Sequence, residues 1–201
     1  MDQRLKSELT RQLILNESFK LFYENGFKTT SVDKIMKATN LTKGAFYHHF
    51  ENKKALGLAV IGLKLQKRVY EAMVAPLYGS GDALEILKTI FSVRLKSFTV
   101  YEKQHGCPAN NFINEIGDQE VAYQNALKRI IEEWKSALVY VLDRGKTEGS
   151  VRKDICSKSV AVYLISAFEG VRGLRKLYDN DLILDEYISG LSLYIKQISA
   201  S

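Results

Sequence analysis

Apolar residues recur three or four positions apart along nearly the whole chain, the spacing of helices that each bury one face. In the first such segment, about Leu5 to Asn25, Ile14, Leu15, Phe19 and Phe22 share a face with the small Ser18. Gly26 follows as a left-handed stop, and Lys28-Thr29-Thr30-Ser31 reads as a polar turn. Ser31 is placed to cap a short helix through about Thr39, with Val32, Ile35 and Met36 turned inward. Asn40 suits the left-handed backbone of a tight turn, and Thr42 then caps a second short helix, Lys43 to about His49. Asn52 caps a longer one to roughly Val74, which Pro76 and Gly79-Ser80-Gly81 are expected to stop. Further helices are predicted at Asp82–Lys103, Ala109–Gly117, Gln119–Arg144 (closed by Gly145 and Gly149), Lys153–Tyr178 and Leu184–Ile198. No Asn-Gly or Asp-Gly turn lies between alternating runs, and only two prolines occur, so the fold class is all-α.

Composition changes this picture in one respect. The net charge of +6 is uneven: residues 1–54 hold ten lysines and arginines against six acids, leaving nineteen against seventeen for the rest. A basic end on a nearly neutral body points to an anionic partner for that end. Two cysteines, Cys107 and Cys156, make a disulfide framework improbable and favour a reducing, cytoplasmic location. The opening MDQRLKSELT is too polar for the apolar core of a signal peptide, and the longest apolar stretch falls far short of a membrane span. No membrane association is expected.

The segment SVDKIMKATNLTKGAFYHHFENKK, Ser31 to Lys54, carries the most information. Two short helices meeting at a tight turn have the plan of a helix-turn-helix. Val32, Ile35, Met36, Leu41, Phe46 and Phe50 can pack on the first helix and hold the second short helix outward, where it fits a DNA major groove. On its outer face Lys43 can meet a guanine edge or a phosphate, Gly44 admits close approach, and Tyr47 and His48 offer polar groups. Thr42 can donate to a phosphate while it caps. Helix starts at Ser31 and at Asn52-Lys53 favour anions, and Lys53 there opposes the helix dipole unless a phosphate stands in front of it. Adjacent His48 and His49 point about a third of a turn apart, so a metal site between them is discounted, and no other metal or cofactor motif occurs.

Arg11 to Leu56 resembles the DNA-binding domain of TetR-family regulators. The resemblance rests on Ile14-Leu15, Leu21-Phe22, Gly26-Phe27, Thr30-Ser31-Val32 with Ile35, Leu41 through Phe50, and Asn52-Lys53 with Leu56. Asn40 stands where glycine is common, and Lys37 where alanine is frequent. The resemblance implies a helix-turn-helix domain at 1–51 followed by a helical ligand-binding and dimerisation domain at 52–201, about nine helices in all. It implies a repressor that binds a palindromic operator as a homodimer through the last two helices. A small-molecule effector or reactive species would release it by swinging helix four.

Cys107 precedes Pro108 at the start of a short helix, where a thiol can become acidic. Part of the family opens its sixth helix with a similar Gly-Cys pair, and some such members respond to electrophiles or oxidants. Arg172, Arg175 or Lys176 is expected near it; the plainer expectation is a buried small side chain. Trp134, Tyr123, Tyr163, Phe168, Phe91, Phe98 and Phe112 are candidates for an apolar effector pocket, with Asn110, Asn111, Glu115, Glu169 and Arg172 as polar candidates, Asn111 and Arg172 foremost. They suit plain core as well. Val160, Leu164, Phe168, Val171 and Leu174, with Leu184, Ile188, Leu191 and Ile195, form stripes that suit either an intersubunit bundle or an internal core. The alternatives to a DNA-binding repressor are a thiol-based redox enzyme using Cys107 and a helical adaptor that binds no DNA. No catalytic motif favours an enzyme.

Overall fold

The computed structural model describes residues 2–200. Among them it contains nine helices if α5 is counted as one, and one isolated β-bridge, Val151 with Ser199. These are α1 (Gln3–Asn25), α2 (Val32–Thr39), α3 (Lys43–His49), α4 (53–78), α5 (83–105, broken at 97–99), α6 (Pro108–Ile116), α7 (Val121–Glu148), α8 (Ser157–Leu174) and α9 (Leu182–Ile198). The all-α expectation holds.

The expected caps at Ser31, Thr42 and Asn52 form, and Asp2 adds one not expected. Asp2, Ser31, Thr42 and Asn52 each accept a backbone N–H in the first turn of α1, α2, α3 and α4. Asn40 takes the left-handed conformation at φ 55°, and Gly26 closes α1 at φ 88°.

Some boundaries differ from the sequence reading. Pro76 does not stop α4: the helix loosens into π turns at Ile61–Leu65 and Tyr70–Val74, then tightens into a 3-10 turn at Ala75–Tyr78. Pro76 falls at the start of that tighter turn, where its missing N–H costs little. α5 breaks at 97–99 and restarts through a capping box between Thr99 and Glu102. Gly145 lies inside α7, which ends only at Gly149 (φ 87°). Its lack of a side chain serves packing, because a Cβ there would come within 2.5 Å of Val151 and 2.7 Å of Ala83.

The chain forms two compact units, and the cut does not follow the order of the sequence. The first runs to Arg68 and includes Pro108–Arg129; the second takes Val69–Cys107 and everything from Ile130 on. In the first, Ile14, Leu15, Phe22, Ile35, Met36, Phe46, Phe50 and Leu56 are buried together with Phe27, Phe112 and Tyr123. In the second, Phe91, Trp134 and Phe168 meet ring to ring at 5.5–6.2 Å between centroids, amid buried Leu95, Leu138, Leu142 and Leu164.

Two residues fall elsewhere than expected, and one open choice is resolved. Tyr163, an expected pocket aromatic, is exposed and packs on Tyr194. The stripe of Val160, Leu164, Phe168 and Val171 with Leu184, Leu191 and Ile195 is buried within the single chain, so it is internal core. Leu174, expected on that stripe, is exposed instead.

Gly145→Ala tests the packing argument. Alanine ordinarily favours a helix interior by roughly 1 kcal/mol over glycine. Here overpacking should dominate, and the variant should lose about 1–3 kcal/mol in urea denaturation.

Candidate nucleic-acid interface

α2 and α3 are too short to persist alone, so packing must position them. Phe46 is fully buried and Phe50 nearly so, with ring centroids 5.9 Å apart. Ile35 and Met36 of α2 are buried beside the Ile14, Leu15 and Phe22 face of α1. What remains outside is polar or small: Ser31, Thr42, Lys43, Gly44, Tyr47 and His48 are all exposed. Tyr47 is 58 % exposed although it is a large aromatic, held edge-on to Phe46 at 5.1 Å. The structure therefore brings six of the seven expected contact residues to the solvent side of α2 and α3.

Two electrostatic features of this surface escaped the sequence reading. Lys43 is not a bare cation, because its Nζ lies 2.8 Å from the Asp33 carboxylate at the start of α2. That hydrogen bond holds the Lys43 ammonium above its ordinary proton affinity. Both groups are well exposed, so the pair contributes little stability.

Lys53, the seventh residue, is half-buried. Its ammonium sits 4.4 Å from the Phe27 ring centre and donates to the Lys28 carbonyl at 3.3 Å. Burial lowers its pKa, with the Glu115 carboxylate acting in the opposite sense. An anion at the start of α4 would have to compete with those contacts.

In the second unit, Cys107, Trp134, Phe168 and Arg172 are all buried. Arg172 lies over the Phe98 and Phe168 rings at 4.5 and 5.6 Å, and donates to the Gly106 carbonyl at 2.5 Å. The Cys107 thiol is hydrogen-bonded to Glu169, whose carboxyl is pushed to higher pKa by burial, against the lowering effects of that bond and of Arg172. Three buried polar atoms here lack a hydrogen-bond partner: Trp134 Nε1, Glu169 Oε2 and Arg172 Nε. Asn111 is half-buried and belongs to the first unit, as do Tyr123 and Phe112, which pack on Phe27 at 5.6 and 6.4 Å.

Cys107 is buried, the plainer of the two expectations, and Cys156 is exposed. Cys107 is only 6 % exposed, with the Glu169 carboxyl beside its thiol. Cys156 is exposed at the start of α8. Hydrogen bonds from the Ser159 hydroxyl and backbone lower its pKa, with smaller help from Lys146. Among the described residues no group of His, Cys, Asp and Glu could hold a metal ion, and no helix is long and apolar enough to cross a membrane.

Comparison with known proteins matches two family models. Residues 14–60 match the bacterial regulatory proteins of the tetR family, and residues 83–191 match the tetracyclin repressor-like C-terminal domain. The chain is 26% identical over 182 residues to the HTH-type transcriptional repressor DhaR of Mycobacterium sp. (strain GP1), covering 89% of this chain and 88% of that one. It is 25% identical over 170 residues to the transcriptional regulator AcuR of Cereibacter sphaeroides, covering 82% and 75% respectively. A crystal structure of a TetR-family regulator from Cytophaga hutchinsonii superposes with a TM-score of 0.86 at 27% identity, over 98% of both chains.

Thiol labelling checks the order of reactivity. Ellman's reagent should modify one thiol of the native protein quickly and the other only on unfolding. Cys156→Ser should remove the fast phase, while a fast phase that persists in that variant would assign it to Cys107.

Proposed function

Since the chain belongs to the TetR family and is a transcriptional regulator, we propose that it is a repressor that binds a palindromic operator as a homodimer. The observation that carries this reading is the exposed face of α3 set against its buried back. Thr42, Lys43, Gly44, Tyr47 and His48 face outward because Phe46 and Phe50 are anchored in the core. Tyr47 and His48 read base edges, and the capped starts of α2 and α3 at Ser31 and Thr42 meet phosphates. Lys53 joins them by leaving Phe27 for a phosphate when DNA arrives. The family acts by occupying DNA and not by catalysis.

The dimer surface is the outer face of α8 and α9. Val162, Tyr163, Leu174 and Leu177 are exposed on or just after α8, and Leu182 and Leu193 on α9. Tyr163, Gly170 and Gly173 on α8 and Gly190 with Leu193 on α9 recur at helical spacing, and each of these glycines has open space over it. Apolar side chains interleaved with glycine suit close approach of helices from a second copy.

A small-molecule effector is the favoured input. Trp134 Nε1, Glu169 Oε2 and Arg172 Nε are buried without partners among the Phe91, Phe98 and Phe168 rings, as expected of groups reserved for a ligand. Release by a reactive species through Cys107 is the second reading, supported by Arg172 beside the thiol's loop. The burial of Cys107 and its carboxyl partner make it the weaker one.

Selection of bound duplexes from genomic fragments, followed by footprinting, tests the reading. The expected result is a two-fold symmetric site with half-sites about one helical turn apart; an asymmetric or absent footprint would refute it. On that site Tyr47→Ala should weaken binding roughly ten- to a hundredfold, the worth of one good base contact, with the dimer intact. Asp33→Ala should instead tighten binding and steepen its salt dependence, since it frees Lys43 and removes a like charge from the DNA face. Trp134 is the sole tryptophan, so effector candidates can be screened by quenching or enhancement of intrinsic fluorescence.

A further inference from the structure

α6 and the start of α7 fold into the first unit across a long stretch of sequence, and Glu115 is the residue that ties them there. Its carboxylate accepts the backbone N–H of Phe27 at 2.7 Å and also that of Lys28. These two groups lie in the turn between α1 and α2, three and four residues before the Ser31 cap. The turn approaches so closely that the carboxylate oxygens stand 3.1 Å from where a Cβ on Gly26 would be. The Lys28 carbonyl in turn accepts from Lys53, whose ammonium covers the Phe27 ring. Phe27 packs on Phe112 of α6 and Tyr123 of α7, and Lys54 pairs with Glu120. One carboxylate thus joins α6 to the turn that leads into α2, and, through Lys28, to the first turn of α4.

We propose that Glu115 is a positioning residue for DNA binding: its carboxylate sets the pose of the α1–α2 turn and of Lys53, and so links α6 to the phosphate-facing ends of α2 and α4. This role rests on the reading of α2 to α4 as the DNA-binding surface. A carboxylate that captures two adjacent N–H groups is strongly directional, so a small movement of α6 weakens both bonds together. Glu115 touches no DNA itself. Its loss should therefore lower affinity for all sequences alike, whereas loss of Tyr47 should alter discrimination.

The test compares wild type, Glu115→Gln and Glu115→Ala, each alone and combined with Lys53→Ala. Binding is measured to the operator recovered from genomic fragments and to a scrambled duplex of equal length. Amide exchange of the DNA-free protein is followed at Phe27 and Lys28. Glu115→Ala should speed exchange at those two amides and weaken both duplexes about tenfold, the scale of one charge-assisted hydrogen bond. Glu115→Gln, which keeps one acceptor oxygen, should fall between. The losses from Glu115→Ala and Lys53→Ala should be less than additive, because both act on one assembly.

Unchanged affinity in both Glu115 variants, or strictly additive losses with Lys53→Ala, would overturn the proposal. So would a loss confined to the recovered operator. A wild-type chain that binds no duplex would overturn the proposed function. Protected Phe27 and Lys28 amides in that case would leave Glu115 as a structural cap alone.

Discussion

The proposed DNA-facing surface depends on the burial of Phe46 and Phe50 behind α3. Helices of eight and seven residues cannot hold themselves, so the directions of Tyr47 and His48 are fixed by what lies on the other side of the backbone. Complete burial of Phe46, in a unit where Ile14 and Ile35 are also completely buried, supplies that anchor. The caps at Ser31 and Thr42 and the left-handed Asn40 then fix where each helix begins and how the chain passes between them. Side-chain chemistry on the outer face can vary freely as long as this inner set stays.

This division explains which parts of the molecule could be read in advance. Caps and turns are local, so Ser31, Thr42, Asn52, Asn40 and Gly26 announced themselves by residue type and spacing. The aromatic residues at Phe46 and Phe50 were legible for the same reason, since helical period alone assigns them inward. Features that depend on remote partners were not. Gly145 reads as a stop until Ala83 and Val151 are seen above it. Pro76 reads as a breaker until the preceding π turns show how the helix absorbs it. The Lys43–Asp33 pair joins two helices through exposed ends, and no pattern in either helix marks it.

The second unit was less legible still. Period gives a stripe on α8 and α9 but does not say whether a stripe is covered by the same chain or by another. The structure assigns the strongest stripe to internal core and leaves a second, weaker one of Tyr163, Gly170, Leu174 and Leu193 outside. Cysteine chemistry was similarly hidden, because it turns on neighbours such as Glu169 and Ser159 that spacing does not reveal. Buried polar atoms left without partners are visible only when coordinates exist, and they mark the Trp134 region better than its aromatic content did.

The composition of the first unit from two stretches of chain has a consequence for how the protein is made. Phe27 and Lys28 find their Glu115 partner only after 87 or 88 further residues have been added. During synthesis the N-terminal helices must therefore wait, with the Phe27 ring lacking Phe112 and Tyr123, until the ribosome has released the start of α7. A nascent chain ending near residue 60 would thus hold α1 to α3 without the cover that completes their unit, and the first unit closes only late in synthesis.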